Sequence, residues 1–275
     1  MVHIVLGYDG SPAAEAGLAW VADRAARGRV TVELVTVTNM LRSDYAQTAA
    51  TLEEGSRRLK DVAGGIDVET HWRDGSMPNT LIDQAESADL LVIGVTQSHP
   101  VRTALKGWIP ARTAARAKVP TVLVPEGWTP HEHAVMVGVD DDPSSDAAIL
   151  YAAHEATDLG VPLRLVHAWQ MPVPTVDGAV ALLASPLEIK NAHRKLLEEA
   201  GQRVLEAYPE LGVEAVLVGD NPASALLARA ERTSLLVLGT HHRGLWAGAA
   251  LGSVAQDILF QVPCPVCVVP NPGAD

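Results

Sequence analysis

Cysteine is almost absent from this chain. Cys264 and Cys267 are the only two in 275 residues, so disulfides cannot be what holds its parts together. Long apolar runs are missing as well: no stretch approaches the roughly 18 apolar residues that span a bilayer. No basic segment and apolar block precede the strand-like VHIVLGYD that starts at Val2, so no secretory leader is expected. Positive charge is scarce, with 21 Lys and Arg against 33 Asp and Glu and a net charge of -12. That balance argues against long-range attraction to nucleic acid or to anionic lipid. What the chain does have is a globular composition, 48% hydrophobic and 20% charged, and enough length for two ordinary domains. A cytoplasmic protein without nucleic-acid or membrane partners is the expectation.

An internal repeat organises the chain. VHIVLGYDGSPAAEAGLAWVA, from Val2, aligns with HAVMVGVDDDPSSDAAILYAA, from His133, and Asp9 matches Asp140. Further on, GSMPNTLIDQA from Gly75 matches GDNPASALLARA from Gly219. LLVIG ending at Gly94 matches LLVLG ending at Gly239, Gly107 matches Gly252, and PTVLVP from Pro120 matches PVCVVP from Pro265. The offset grows between the first and second of these matches. The second copy therefore carries an insertion, located in the Pro-rich MPVPTVDGAVALLASP.

Within the first copy, short β-branched apolar runs near 2–8, 31–37, 66–72, 90–94 and 121–124 read as strands. Helical patterns near 12–27, 44–63, 77–87 and 103–117 separate them, and Pro12 and Pro143 sit where proline suits a first helical turn. The second copy repeats the order, with a longer second helix near 187–207. Strands alternating with helices predict an α/β fold with parallel sheets covered on both faces. The expected architecture is two tandem open five-stranded parallel sheets, each in the order 3-2-1-4-5. The domains would cover 1–127 and 133–272, with a linker at 126–133 where Gly127 and Pro130 break the pattern.

In such sheets ligands sit beyond the carboxyl ends of the strands, where the winding reverses. That points to Asp9 and Asp140 after strand one and to Gly94 and Gly239 after strand four. The segment GTHHRGLWAGAALGSV after strand four of the second copy offers glycines, a following helix start and the Ser253 hydroxyl. These are the parts of a phosphate cradle, although a Gly-rich turn also serves plain packing. The Asp140–Asp142 run either joins a Mg²⁺ ion to a nucleotide or caps a helix, the commoner use. His241 and His242, with His131 and His133, lack a recognisable ligand framework, so no metal site is expected there. Cys264-Pro-Val-Cys267 has redox spacing but enters a strand rather than a helix start, which favours packing. Trp72, Trp169 and Trp246 can stack on a base, but packing is the commoner role.

Taken in order, VGVDDDPSS, LRLVHAW, LLVLGTHHRG, LGSVAQDIL and CPVCVV follow the landmarks of universal stress protein domains, and the resemblance covers both copies. It implies a Rossmann-like, adenine nucleotide alpha hydrolase-like fold. ATP-binding members carry Gly, two residues, Gly, nine residues, then Gly-Ser or Gly-Thr. Gly239, Gly252 and Ser253 match that spacing, with Val254 following, while His242 replaces the second glycine. There His242 either donates to a phosphate or narrows the cradle. By the same resemblance Asp140 faces the adenosine end and Ala168 lines the adenine pocket through its backbone. The first copy keeps Asp9-Gly10-Ser11 and Gly94 but has Gln97 and Trp108 where glycine and Ser/Thr are expected.

The implied function is a non-enzymatic stress-response regulator that binds ATP, with Mg²⁺, in the second copy. The alternative is a protein-interaction or dimerisation module of the same family that binds no nucleotide. Strand five of each copy lies at a sheet edge in the expected order, and an apolar edge invites pairing. An intramolecular pseudo-dimer through those strands is therefore expected, with a homodimer of whole chains beyond it.

Overall fold

The computed structural model describes residues 1–38, 44–96, 108–171, 185–240, 251–259, 261 and 263–271. In the first half, strands β1 (Val2–Gly7), β2 (Val30–Thr38), β3 (Asp67–Asp74), β4 (Leu90–Val95) and β5 (Thr121–Pro125) alternate with helices. Those helices are α1 (Pro12–Ala25), α2 (Tyr45–Val62), α3 (Asn79–Gln84) and α4 (Ile109–Arg116). The second half repeats the series with β6 (Val135–Gly138), β7 (Leu163–Ala168), β8 (Val213–Val218), β9 (Leu235–Gly239) and β10 (Val266–Val269). Its helices are α5 (Pro143–Leu159), α6 (Pro186–Ala207), α7 (Pro222–Ala230) and α8 (Ser253–Leu259).

Local signals set many of these boundaries. Ser11 caps α1 by accepting the Ala14 amide, and Asp142 caps α5 by accepting the Ser144 amide at 2.9 Å. Ser185 and Glu188 form a reciprocal capping box at the start of α6, just beyond the insertion. Residues 172–184 of that insertion, and the 103–107 part of the expected fourth helix, lie outside the described residues. Helix α3 is shorter than the 77–87 pattern suggests. Pro78 occupies its N-cap position, and the Ala85 amide already turns back on Asp83, Ile82 and Leu81.

The central strands, such as β4, β5, β9 and β10, read as unbroken apolar runs because both faces of the sheet are covered there. Ile4, Val5 and Leu6 are all fully buried, yet Ile4 and Leu6 belong to one core and Val5 to the other. The same split separates Leu235 and Val237 from Leu236 and Leu238. Helices α1, α2, α5 and α6 supply the first core, with Leu18, Leu52, Leu59, Ile149 and Leu197. Helices α3, α4, α7 and α8 supply the second, with Leu81, Ala114, Leu226 and Ile258.

Each half has the order 3-2-1-4-5, but the two sheets are not separate. They form one ten-stranded sheet, β3-β2-β1-β4-β5-β10-β9-β6-β7-β8, joined by an antiparallel pairing of β5 with β10. This is the expected meeting of the two fifth strands, and it corrects only the expectation that the two sheets stay distinct. An apolar edge that pairs with its own repeat satisfies its free amides and carbonyls, so the edge-to-edge contact becomes part of the sheet.

The pairing register locates a pseudo-two-fold axis. Val122 stands opposite Cys267, its own counterpart in the repeat. Nearby, Arg24 meets Glu155, again a residue and its counterpart, 131 positions apart. One guanidinium nitrogen donates to Glu155 Oε1 at 2.6 Å and the other to Oε2, in a bidentate pair. Glu155 is 1% exposed. Burial works against the Arg24 charge, but the hydrogen bonds and charge of Glu155 outweigh it and raise the guanidinium pKa further. Beside the pair, a cavity of about 30 Å³ lined by Trp20, Trp128 and His131 has room for a water molecule and not for a ligand.

Both cysteines are free thiols buried in this region. Burial pushes the Cys264 thiol up to about 12, and raises that of Cys267, inside β10, as well. A neutral, inaccessible thiol is unreactive. The folded protein should therefore resist iodoacetamide at pH 8 over a period in which urea-unfolded protein is fully alkylated. Equal rates for the two states, measured by mass spectrometry, would show that the thiols are accessible.

Candidate functional site

In the second half the winding reverses between β6, which pairs with β7 on one side, and β9 on the other. Past the end of β6, the Val139 amide donates to Val166 O at 2.9 Å and keeps the chain in line with β7. The next amide, of Asp140, donates to the Ser145 hydroxyl at 3.0 Å. Asp142 meanwhile is committed to the α5 cap, so the acidic run is in part a helix start. At the end of β9, Gly239 allows α5 to approach: a Cβ there would lie 2.6 Å from Ser144 O. Its first role is close packing of helix on strand, the plainer of the two uses expected of it. Gly94 does the same in the first half, where a Cβ would lie 1.7 Å from Ala13 O.

Between these elements opens a cavity of about 290 Å³. Val139, Val166, Leu226 and Leu238 give it apolar walls, and Asp140, Ser144, Ser145 and Ser253 give it polar groups. Six residues singled out from the sequence line it together: Asp140, Ala168, Gly239, Gly252, Ser253 and Val254. Asp9 does not join them. It lies at the end of β1 in the other half, exposed, where its carboxylate accepts the Ser11 amide at 3.0 Å. His242, Gln97 and Gly107 are outside the described residues.

Sequence reasoning missed several lining residues. Ser144, Ser145 and Leu226 were visible only as helix positions, because nothing in their local pattern shows which helix faces the switch point. It also missed a histidine pair beside the end of β6. His167 bonds Val139 O through Nδ1 at 2.7 Å, and its Nε2 lies 2.8 Å from His193 Nδ1. One tautomer pattern serves both contacts: His167 donates from Nδ1 and accepts at Nε2 from His193. Burial, followed by the neighbouring His167, lowers the His193 pKa. Trp169 stacks on His193 with ring centroids 5.2 Å apart, and Trp72 packs against Tyr45 at 4.7 Å. Both tryptophans thus have packing partners within the chain, and Trp246 lies outside the described residues.

The first half presents its switch point differently. Trp108 is the N-cap residue of α4 and packs, half-buried, against the second core. An indole therefore takes the position that Ser253 takes in the second half.

Two five-stranded parallel units, doubled and fused edge to edge, with a part-apolar, part-polar cavity at one switch point, define a tandem Rossmann-like α/β protein. The universal stress protein family model matches residues 1–125 and again 133–270, and the chain belongs to that family. It is similar to the universal stress protein Rv2005c of Mycobacterium tuberculosis, 27% identical over 290 residues that cover 96% of each chain. A universal stress protein of Mycolicibacterium smegmatis is likewise 27% identical, over 97% of this chain and 96% of its own. In three dimensions the fold matches the crystal structure of a universal stress protein from Archaeoglobus fulgidus. The TM-score is 0.72 at 18% identity, covering 100% of this chain and 98% of that one. Among the described residues no helix is long and apolar enough to cross a membrane.

Proposed function

We propose that this universal stress protein binds an adenine nucleotide, ATP with Mg²⁺, in its second half, and acts as a non-catalytic cytoplasmic regulator. The observation that carries this reading is the cavity at the β6–β9 switch point, which gathers Asp140, Ala168, Gly239, Gly252, Ser253 and Val254 on one surface. Its lining suits such a ligand, since apolar walls of Val166, Leu226 and Leu238 accommodate a base while the backbone N–H at Gly252 and the Ser253 hydroxyl donate to phosphate oxygens. Asp140 provides a carboxylate for the ribose or for a phosphate-bound Mg²⁺. Assembly of two chains into a homodimer belongs to the same reading, and light scattering after gel filtration measures it directly.

Freshly purified protein should release an adenine nucleotide on denaturation, identified by chromatography and mass spectrometry. Calorimetric titration with ATP and Mg²⁺ should then show Ser253→Ala weakening binding by roughly ten-fold, the loss of about 1–2 kcal/mol from one hydrogen bond to a charged oxygen. Gly252→Val should weaken it further. His242→Gly decides that side chain's role: tighter binding makes it an obstruction, weaker binding a ligand contact. If the parent binds no adenine nucleotide at millimolar concentration and His242→Gly restores none, the nucleotide reading fails.

The interaction-module reading would then hold. The packing of Trp108 at the switch point of the first half already favours it for that half.

A further inference from the structure

Away from the cavity at the β6–β9 switch point, the outer strands of the first half bring together histidine and glutamate side chains. Glu33 on β2 stands directly opposite Glu69 on β3 in the parallel register. Like charges in that position destabilise a sheet unless a cation lies between them. His71, two residues beyond Glu69 on the same face, places Nε2 3.5 Å from Glu33 Oε2 and 3.4 Å from Glu69 Oε2. Ligand atoms of all three residues lie within 4.8 Å of one another.

We propose that Glu33, Glu69 and His71 form a binding site for a divalent transition metal such as Zn²⁺, with solvent completing the coordination. Two ligands at about 2.0–2.1 Å from a tetrahedral zinc are separated by about 3.3–3.4 Å, close to the two spacings from the imidazole. The surroundings resemble the outer contacts that hold metal ligands in place. Glu33 Oε2 accepts the Gln84 side-chain amide at 2.8 Å, and Glu33 Oε1 lies 2.9 Å from His3 Nε2 on β1. His3 Nδ1 in turn faces Ser87 O at 3.4 Å. His3 is thus a positioning residue for Glu33.

The second half serves as an internal comparison. The positions of His3, Glu33, Glu69 and His71 are occupied there by Ala134, Arg164, Glu214 and Val216. Arg164 donates to Glu214 at 2.7 Å, so the cross-strand charges cancel. The fold accepts an ordinary ion pair at this place, and the first half instead gathers two carboxylates and an imidazole.

One group competes with the metal. Arg73 Nη2 lies 3.3 Å from His71 Nδ1, which suits the tautomer with its proton on Nε2. Metal at Nε2 moves that proton to Nδ1, so the guanidinium must turn away, while its Nε contact to Gln84 Oε1 at 2.8 Å is free to stay.

Tag-free protein stripped with a chelator and titrated with Zn²⁺ against a chromophoric chelator tests the site. One Zn²⁺ per chain is expected, with a dissociation constant in the micromolar range. Glu33→Arg installs the ion pair of the second half, so it should fold normally by circular dichroism and lose about 100-fold in Zn²⁺ affinity. His71→Ala should lose as much and His3→Ala about 10-fold. Arg73→Ala should bind more tightly than the parent. A His131→Ala/His133→Ala variant should bind as the parent does. Failure of the parent to take up stoichiometric Zn²⁺, or uptake that survives both Glu33→Arg and His71→Ala, would overturn the proposal.

Discussion

Glu155→Ala should lower the unfolding free energy of the protein by about 3–5 kcal/mol, because it leaves the Arg24 guanidinium buried without its partner. The effect is far larger than an exposed pair gives: removing Glu199, paired with Lys195 on the surface of α6, should cost no more than about 0.5 kcal/mol. The location explains why the pair matters. Arg24 and Glu155 are equivalent residues of the two repeats, and a two-fold arrangement brings equivalent residues face to face. Two first-half units meeting in this way would set Arg24 against Arg24, and two second-half units would set Glu155 against Glu155. Duplication within one chain lets opposite charges occupy the two places. Glu155→Arg should therefore be more damaging than Glu155→Ala, and the exchanged pair, Arg24→Glu with Glu155→Arg, should recover much of the loss. Urea unfolding followed by circular dichroism measures all of these. A midpoint for Glu155→Ala equal to that of Glu199→Ala would show that the pair contributes nothing to joining the halves.

Gly94→Ala should be at least as costly, about 3 kcal/mol or more, and should prevent accumulation of folded protein at physiological temperature. The added methyl would lie 1.7 Å from Ala13 O and 2.7 Å from the Ala14 amide nitrogen, both backbone atoms at the start of α1 that cannot rotate aside. Gly239→Ala meets Ser144 O at 2.6 Å, a milder overlap, and should cost less. The order of the two is the informative quantity, since both glycines end a fourth strand and look alike in the repeat. If Gly239→Ala proves the more destabilising in thermal unfolding, packing of helix on strand is not what distinguishes them.

The repeat made the architecture legible. Asp9 with Asp140 and Gly94 with Gly239 mark the same two strand ends twice, and strand-helix alternation between them leaves little choice of fold. Unbroken apolar runs such as LLVIG and LLVLG state directly that both faces of the sheet are covered. The spacing of Gly239, Gly252 and Ser253 likewise marked three residues that line one cavity. Ser144, Ser145, Leu226 and the His167–His193 pair were not legible. The place of the two serines and Leu226 depends on which helix face meets the switch point, and His193 reaches His167 from a helix that follows an insertion the first half lacks.

Charge at the centre of the molecule was equally hidden. Nothing local to Arg24 or Glu155 distinguishes them from surface residues of helices, and only the meeting of the two halves pairs and buries them. The Glu33, Glu69 and His71 cluster depends on strand register, which hydrogen bonding between strands fixes and composition does not. By itself, then, the sequence determined the duplicated α/β unit, its strand order and the glycines its tight contacts require, because those follow from periodicity and from steric limits within short segments. Tertiary structure alone decided the antiparallel register in which the two fifth strands pair, which ionic groups are buried where the halves meet, and which side chains of distant strands and helices face one another, because those depend on contacts between segments far apart in the chain.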